Sequence, residues 1–207
     1  MQKFQAPAPQ PAATVGSRTI VAIAIGVAIA CGVALTLGRL DAVWTTGAFF
    51  DTDDALRMVQ VRNLLAGQGW FDMNVARMDP PAGVFMHWSR TVDVPLVLLM
   101  KLFGLFADHA TAETLTRIAF PLLLLVALYV ALGRLAALFG GLATQVAAIL
   151  LAFTTGPAVT QFVTGRIDHH APQIVLLVAM AWAALAALEP SRAKLAAWSG
   201  LFAALSL

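Results

Sequence analysis

The chain has one cysteine, few charges and no concentrated patch of either sign. A lone cysteine, Cys31, excludes internal disulfides and any cysteine-rich zinc module. It lies in an apolar run, where packing is its expected role. Only 12% of the 207 residues are charged, too few to cover a soluble globule of this length with polar surface. The formal net charge of +2 comes from scattered basic residues and leaves no electrostatic footprint for nucleic acid, so that class of partner is set aside. Internal repeats and the parallel-sheet pattern of soluble nucleotide enzymes are also missing. So is an H-E-x-x-H pair, which leaves a zinc hydrolase built on His87, His169 and His170 without its motif.

What is present is hydrocarbon. Hydrophobic residues make up 60% of the chain and the mean hydropathy is +0.82. Charge-free runs cover Thr19–Gly38, Ile118–Gly133, Leu135–Gly165 and Ala171–Leu188, each near or above the ~17 to 20 residues that cross ~30 Å of lipid. A fifth, Leu195–Leu207, is cut by the chain end, and the uncapped "LFAALSL" reads as the front part of a longer protein. The expected fold class is an all-α, polytopic helical membrane protein, with every regular element helical. Residues 1–18, rich in Pro and Ala, are expected to be a disordered cytoplasmic tail. A cleaved signal peptide is the rival reading of Thr19–Gly38, whose core exceeds the usual ~7 to 15 apolar residues.

Helix parity decides whether the two polar segments, Asp41–Arg90 and Gly165–His170, can meet. The deciding piece is "TVDVPLVLLMKLFGLFADH", interrupted by Asp93 and Lys101. If it spans, the segments lie on opposite faces; if it rests on the interface as an amphipathic helix, they share one. With Lys3 and Arg18 inside, the surface-lying arrangement also puts Arg134, Arg192 and Lys194 inside, as the positive-inside rule asks. It gives a first external loop over 41–113, a helix inward from about Thr114, a turn near Gly140–Gly141, one helix outward to about Phe162, and a second external loop over 163–170.

In the first loop, "TDDALRMVQVRNLLAG" reads as a helix capped by Thr52 or Asp53 and stopped by Gly67. Met58, Val61 and Leu65 form a narrow apolar stripe suited to resting on a membrane. Asp51, Asp53 and Asp54 are explained equally by satisfying free N–H groups at a helix start. Trp88 suits the headgroup level, and Arg77, Arg90 and Lys101 suit lipid phosphate. In the second loop, Asp168 and His170 are two apart, which on an extended turn between Gly165 and Pro172 points an oxygen and an imidazole one way and His169 the other. That is a two-ligand arm for Mg²⁺, Mn²⁺ or Zn²⁺, or a polar turn between helices.

Two segments resemble the membrane-embedded GT-C glycosyltransferases, most closely oligosaccharyltransferase catalytic subunits. "DDALRMVQVRNLLAG" is similar to their first external loop, with Asp53 at the catalytic aspartate and Arg62 opening the R-x-hydrophobic-hydrophobic-A-G tail. "TGRIDHH" is similar to their second acidic motif in its D-x-H form, at Asp168 and His170. The resemblance covers about Asp41 to Pro172. It implies a GT-C-like bundle, catalytic Asp53 and Asp168, a divalent ion (Mn²⁺ or Mg²⁺, less readily Zn²⁺) on Asp53, Asp168 and His170, and substrate contacts from Asp54, Arg62, His87, Arg90 and Arg166. It also implies a lipid-linked sugar donor, an external or periplasmic site in a bacterial inner membrane, and an acceptor that is protein, lipid or glycan. The family's arginine seven residues before the second aspartate is Gln161 here, and Arg166 is the substitute. The alternative is a transporter without catalytic activity, whose polar residues would line a substrate path.

Overall fold

The computed structural model describes residues 16–206. Helix α1 (Ser17–Asp41) runs into a π-turn at Ala42–Thr46, ended by left-handed Gly47. Polar helix α2 (Thr52–Leu65) follows, then a hairpin of two-residue strands, β1 (Asn74–Val75) and β2 (Val84–Phe85), paired antiparallel. Helices α3 (Asp93–Phe103), α4 (His109–Ala136) and α5 (Leu142–Ala152) come next. A short α6 (Gly156–Val159) merges with a 3₁₀ turn at Thr160–Phe162, and α7 (His170–Ala186) and α8 (Leu195–Leu205) complete the chain. The hairpin corrects the expectation of purely helical structure.

The fold is mostly helical. Among the described residues two helices, α1 and α4, are long and apolar enough to cross a membrane, and α5 with α6 makes a third if the bent pair is one span. At 11 residues, or about 16 Å, α3 is too short to cross. The start of α4 falls at His109, before the expected Thr114, because the Asp108 carboxylate accepts the Thr111 N–H at 2.8 Å and caps it. The tail expected over 1–18 falls almost wholly outside the described residues, and Ser17 and Arg18 already belong to α1.

The outward helix expected to run unbroken to Phe162 is instead bent by 77°. The cause is local. Thr154 and Thr155 hydroxyls take the carbonyls of Leu151 and Ala152, and Pro157 has no N–H to continue the ladder. The turn at Gly140–Gly141 lies where expected, between α4 and α5.

Helix packing in the apolar half depends on small residues. Ala24, Ala28 and Gly32 recur every four positions on α1 and face Leu125 and Tyr129 of α4 and Ile149 of α5. Such spacing lets backbones approach where lipid provides no hydrophobic drive. A methyl at Gly32 would lie 2.8 Å from Leu125 Cδ2. Cys31, expected to pack, is on the exposed side of α1.

At the polar end the core is built differently. Met58 and Val61 of α2 are fully buried against Val92, Leu96 and Met100 of the α3 region, Phe120 of α4, and Ile167. The α2 stripe thus packs on protein rather than on lipid, because α3 and α4 cover it.

Candidate functional site

The site begins with a missing N–H. Pro121 sits inside α4 and cannot bond the carbonyl four residues back, that of Arg117. The Gly165 N–H donates to that carbonyl at 3.0 Å and docks the second polar loop on α4. Gly165 adopts φ +93°, and a Cβ there would lie 2.8 Å from Val43 Cγ2, so both its backbone and its neighbour require glycine. On the other side, an Arg117 Nη2 donates to the carbonyls of Gly47 and Ala48 while its guanidinium covers the Phe49 ring at 4.0 Å. The ends of α1 and the bent pair and the starts of α2, α4 and α7 therefore converge at one end of the bundle.

There the two polar segments meet directly. Asp51, rather than Thr52 or Asp53, caps α2, its Oδ1 accepting the N–H groups of Asp53 and Asp54 at 3.0 and 3.1 Å. Asp54, fully buried, reaches across the bundle end: its Oδ1 accepts the N–H groups of Ile167 (2.6 Å) and Asp168 (3.0 Å). Its Oδ2 has no hydrogen-bond partner among the described residues. Burial pushes the Asp54 carboxyl up to about 7, the Ile167 N–H opposing, and neighbouring Asp51 adds to the rise. Burial also acts upward on Asp51, but its backbone bond from Asp54 and the Arg166 guanidinium outweigh it and hold that carboxyl low.

Arg166 lies among these acids. It pairs with Asp51, with Asp168 Oδ2 at 3.1 Å and with Asp54 Oδ2 at 3.6 Å. Gln161 Oε1 accepts from its Nε and Nη2 at 3.0 and 2.8 Å. Gln161 thus holds the Arg166 guanidinium in place.

Asp168 turns its other oxygen toward α7. Oδ1 accepts the His170 N–H at 2.6 Å, a favourable place for a carboxylate beside a helix start. His169 Nδ1 lies 3.8 Å from Asp168 Oδ1 and His170 Nε2 3.7 Å from Oδ2. His169 does not face away as the extended-turn expectation has it: α7 begins at His170, so 168–170 is curved and both imidazoles flank Asp168. Burial lowers the His169 pKa, against the pull of Asp168, while Asp53 contributes attraction from α2.

Among the described residues, donor atoms capable of sharing one ion form two groups around Asp168. One is Asp168, His169 and His170; the other is Asp51, Asp54 and Asp168. Asp53, the carboxylate expected to complete the set, is half-buried in the first turn of α2 and belongs to neither. A divalent ion fits such donors, and the buried oxygen of Asp54 that lacks a bond is the feature that asks for one.

The other expected substrate contacts divide. His87 is exposed and edge-on to Trp88, 6.4 Å between ring centres. Arg90 is buried, with all its N–H groups engaged: Trp70, Gln60 and Asp72 carbonyls, Gln68 Oε1 and Asp93 Oδ2. It clamps the hairpin approach to α2 and α3 instead of lipid phosphate. Arg62 makes a two-point bond with Glu113, at 2.8 and 2.6 Å, that ties α2 to α4. Trp88, expected at the headgroup level, is wedged between the Arg57 guanidinium (4.7 Å) and His169 (5.7 Å).

A groove of ≈ 460 Å³ between α3, α4 and α7 is lined by Val92, Pro95, Leu99, Phe120, Leu124 and Val175, among others. It shares Thr91, Val92, Pro172, Leu176 and Leu205 with a polar pocket of ≈ 120 Å³ lined also by His87, Trp88 and His169. The apolar groove thus adjoins a polar pocket that reaches His169, next to Asp168 in the chain. No protein-family model, curated protein or solved structure matches this chain.

Proposed function

We propose that this chain is part of a membrane-embedded, metal-dependent glycosyltransferase of the GT-C kind, moving a sugar or oligosaccharide from a polyprenyl phosphate or diphosphate carrier to an acceptor at the external membrane face, with inversion. The observation that carries the proposal is the bond from Asp54 to the Ile167 and Asp168 N–H groups, which joins the two motif segments into one acidic cluster.

The groove and pocket support the choice of substrate class. An isoprenoid tail suits walls of Val, Leu, Pro and Phe, and a phosphate headgroup suits the pocket edged by His87 and His169. Asp168 and His170, with a carboxylate from α2, would hold the ion, which when bound offsets charge gathering on the leaving phosphate. Asp53, half-exposed in the first turn of α2, is the carboxylate assigned to take the acceptor's proton as its oxygen or nitrogen attacks the anomeric carbon. Arg166 keeps Asp168 in place, and the Gly165 bond keeps the loop on α4.

The test is sugar transfer by the full chain in membranes supplied with a radiolabelled polyprenyl-phosphate sugar. Asp53→Asn, Asp168→Asn and His170→Ala should each lower transfer at least 100-fold while the protein stays inserted. Undiminished transfer in all three discards the site.

A further inference from the structure

The acids of this site already hold a cation. The Arg166 guanidinium lies against Asp51, 3.6 Å from Asp54 Oδ2 and 3.1 Å from Asp168 Oδ2. One oxygen from each of those three carboxylates lies within 4.8 Å of the others, so the three surround nearly a single point. Asp54 is fully buried, and its Oδ2, which faces that point, accepts no hydrogen bond among the described residues. Asp54 and Asp168 are buried while Asp51 stands at the exposed rim, so with Asp54 ionised one guanidinium faces three carboxylates, a set that a divalent cation offsets better than a monovalent one.

We propose that Asp51, Asp54 and Asp168 form a divalent-cation site whose resident counter-ion is Arg166, and that guanidinium and metal ion occupy it in exchange. Two cations cannot share the point, because like charges a few ångströms apart in a buried place repel strongly. All-oxygen donors select a hard ion, Mg²⁺ or Mn²⁺, over Zn²⁺. Room for the displaced side chain exists: a surface cavity of ≈ 390 Å³ is bordered by Gln161, which already bonds Arg166, and by His170. The exchange would turn one positive charge from the acids toward the side of the site where His170 stands. It rests on the metal-dependent reading above but differs from it in ligand set and in giving Arg166 a gating role.

The experiment is Mn²⁺ titration of the full chain in detergent micelles, with free Mn²⁺ read by electron paramagnetic resonance. Arg166→Gln should bind Mn²⁺ at least tenfold more tightly than the unmodified chain, and adding Asp54→Asn should reverse that gain. Gln161→Ala, which releases the guanidinium without removing its charge, should tighten binding about threefold. It decides the matter alone if Arg166→Gln does not fold: unchanged affinity overturns the exchange. Saturable binding in the unmodified chain that is equal or weaker in Arg166→Gln overturns the exchange and leaves metal dependence standing. No binding in any form removes both.

Discussion

The Arg117 carbonyl and the Gly165 N–H, on segments remote in sequence, are joined at 3.0 Å because Pro121 withholds the helical donor that would otherwise face that carbonyl. Pro121→Ala supplies a competing N–H. The Gly165 amide should then exchange with deuterium several-fold faster, while α4 itself exchanges no faster. Equal Gly165 exchange in both forms would show that the loop is held without this bond.

The Asp54 carboxyl makes stability depend on pH. An unfolded aspartate titrates near 3.8, and burial raises the folded value to about 7. Between these values the folded chain keeps a proton that the unfolded chain has lost. The stabilising contribution is therefore complete below about pH 4 and is lost as pH rises through about 7. Melting temperature in detergent should fall over that window, and Asp54→Asn should flatten the fall.

Asp93 is fully buried between Arg57 at 2.9 Å and Arg90 at 3.2 Å. Removing it strands two guanidiniums away from water, so Asp93→Ala should cost about 3–5 kcal/mol. Asp93→Asn retains an acceptor and should cost less. Denaturant unfolding in mild detergent measures both, and equal losses would mean that the charge is irrelevant.

Arg62 has a different standing, since its side chain is 46% exposed. Its pairing with Glu113 should give a coupling of only about 0.2–1 kcal/mol in a double-mutant cycle. If Arg62 touches substrate, as the motif resemblance implies, Arg62→Ala lowers transfer far more than Glu113→Ala does. If it is only a tie between α2 and α4, the two variants lose the same amount.

Hydropathy makes the membrane character of this chain legible, and the two polar segments stand out because ionisable groups are scarce around them. The break after Ala152 escapes a reading based on charge-free runs, since Phe153–Val163 carries no charged residue either; the Gly156–Pro157 pair was the available signal. The direction of His169 was lost for a related reason. Treating 168–170 as extended alternates the side chains, whereas the first turn of α7 gathers them. Arg90 could not be placed at all from sequence, because its acceptors are carbonyls at 60, 70 and 72 that only the folded hairpin brings together. Asp51 was in view as one of three acids, but its pairing with Arg166 spans 115 positions and has no local signature.

The Gly32 contact has a mechanical corollary. Where two rods are kept close by an absent side chain, their separation at the far rim is dictated from the middle. A bulkier residue at position 32 would act as a wedge, prising α1 from α4 and carrying Phe50 and Asp51 away from Arg166, which they face. The acidic cluster thus has its spacing set deep in the apolar half of the bundle, by a position bearing no chemistry of its own.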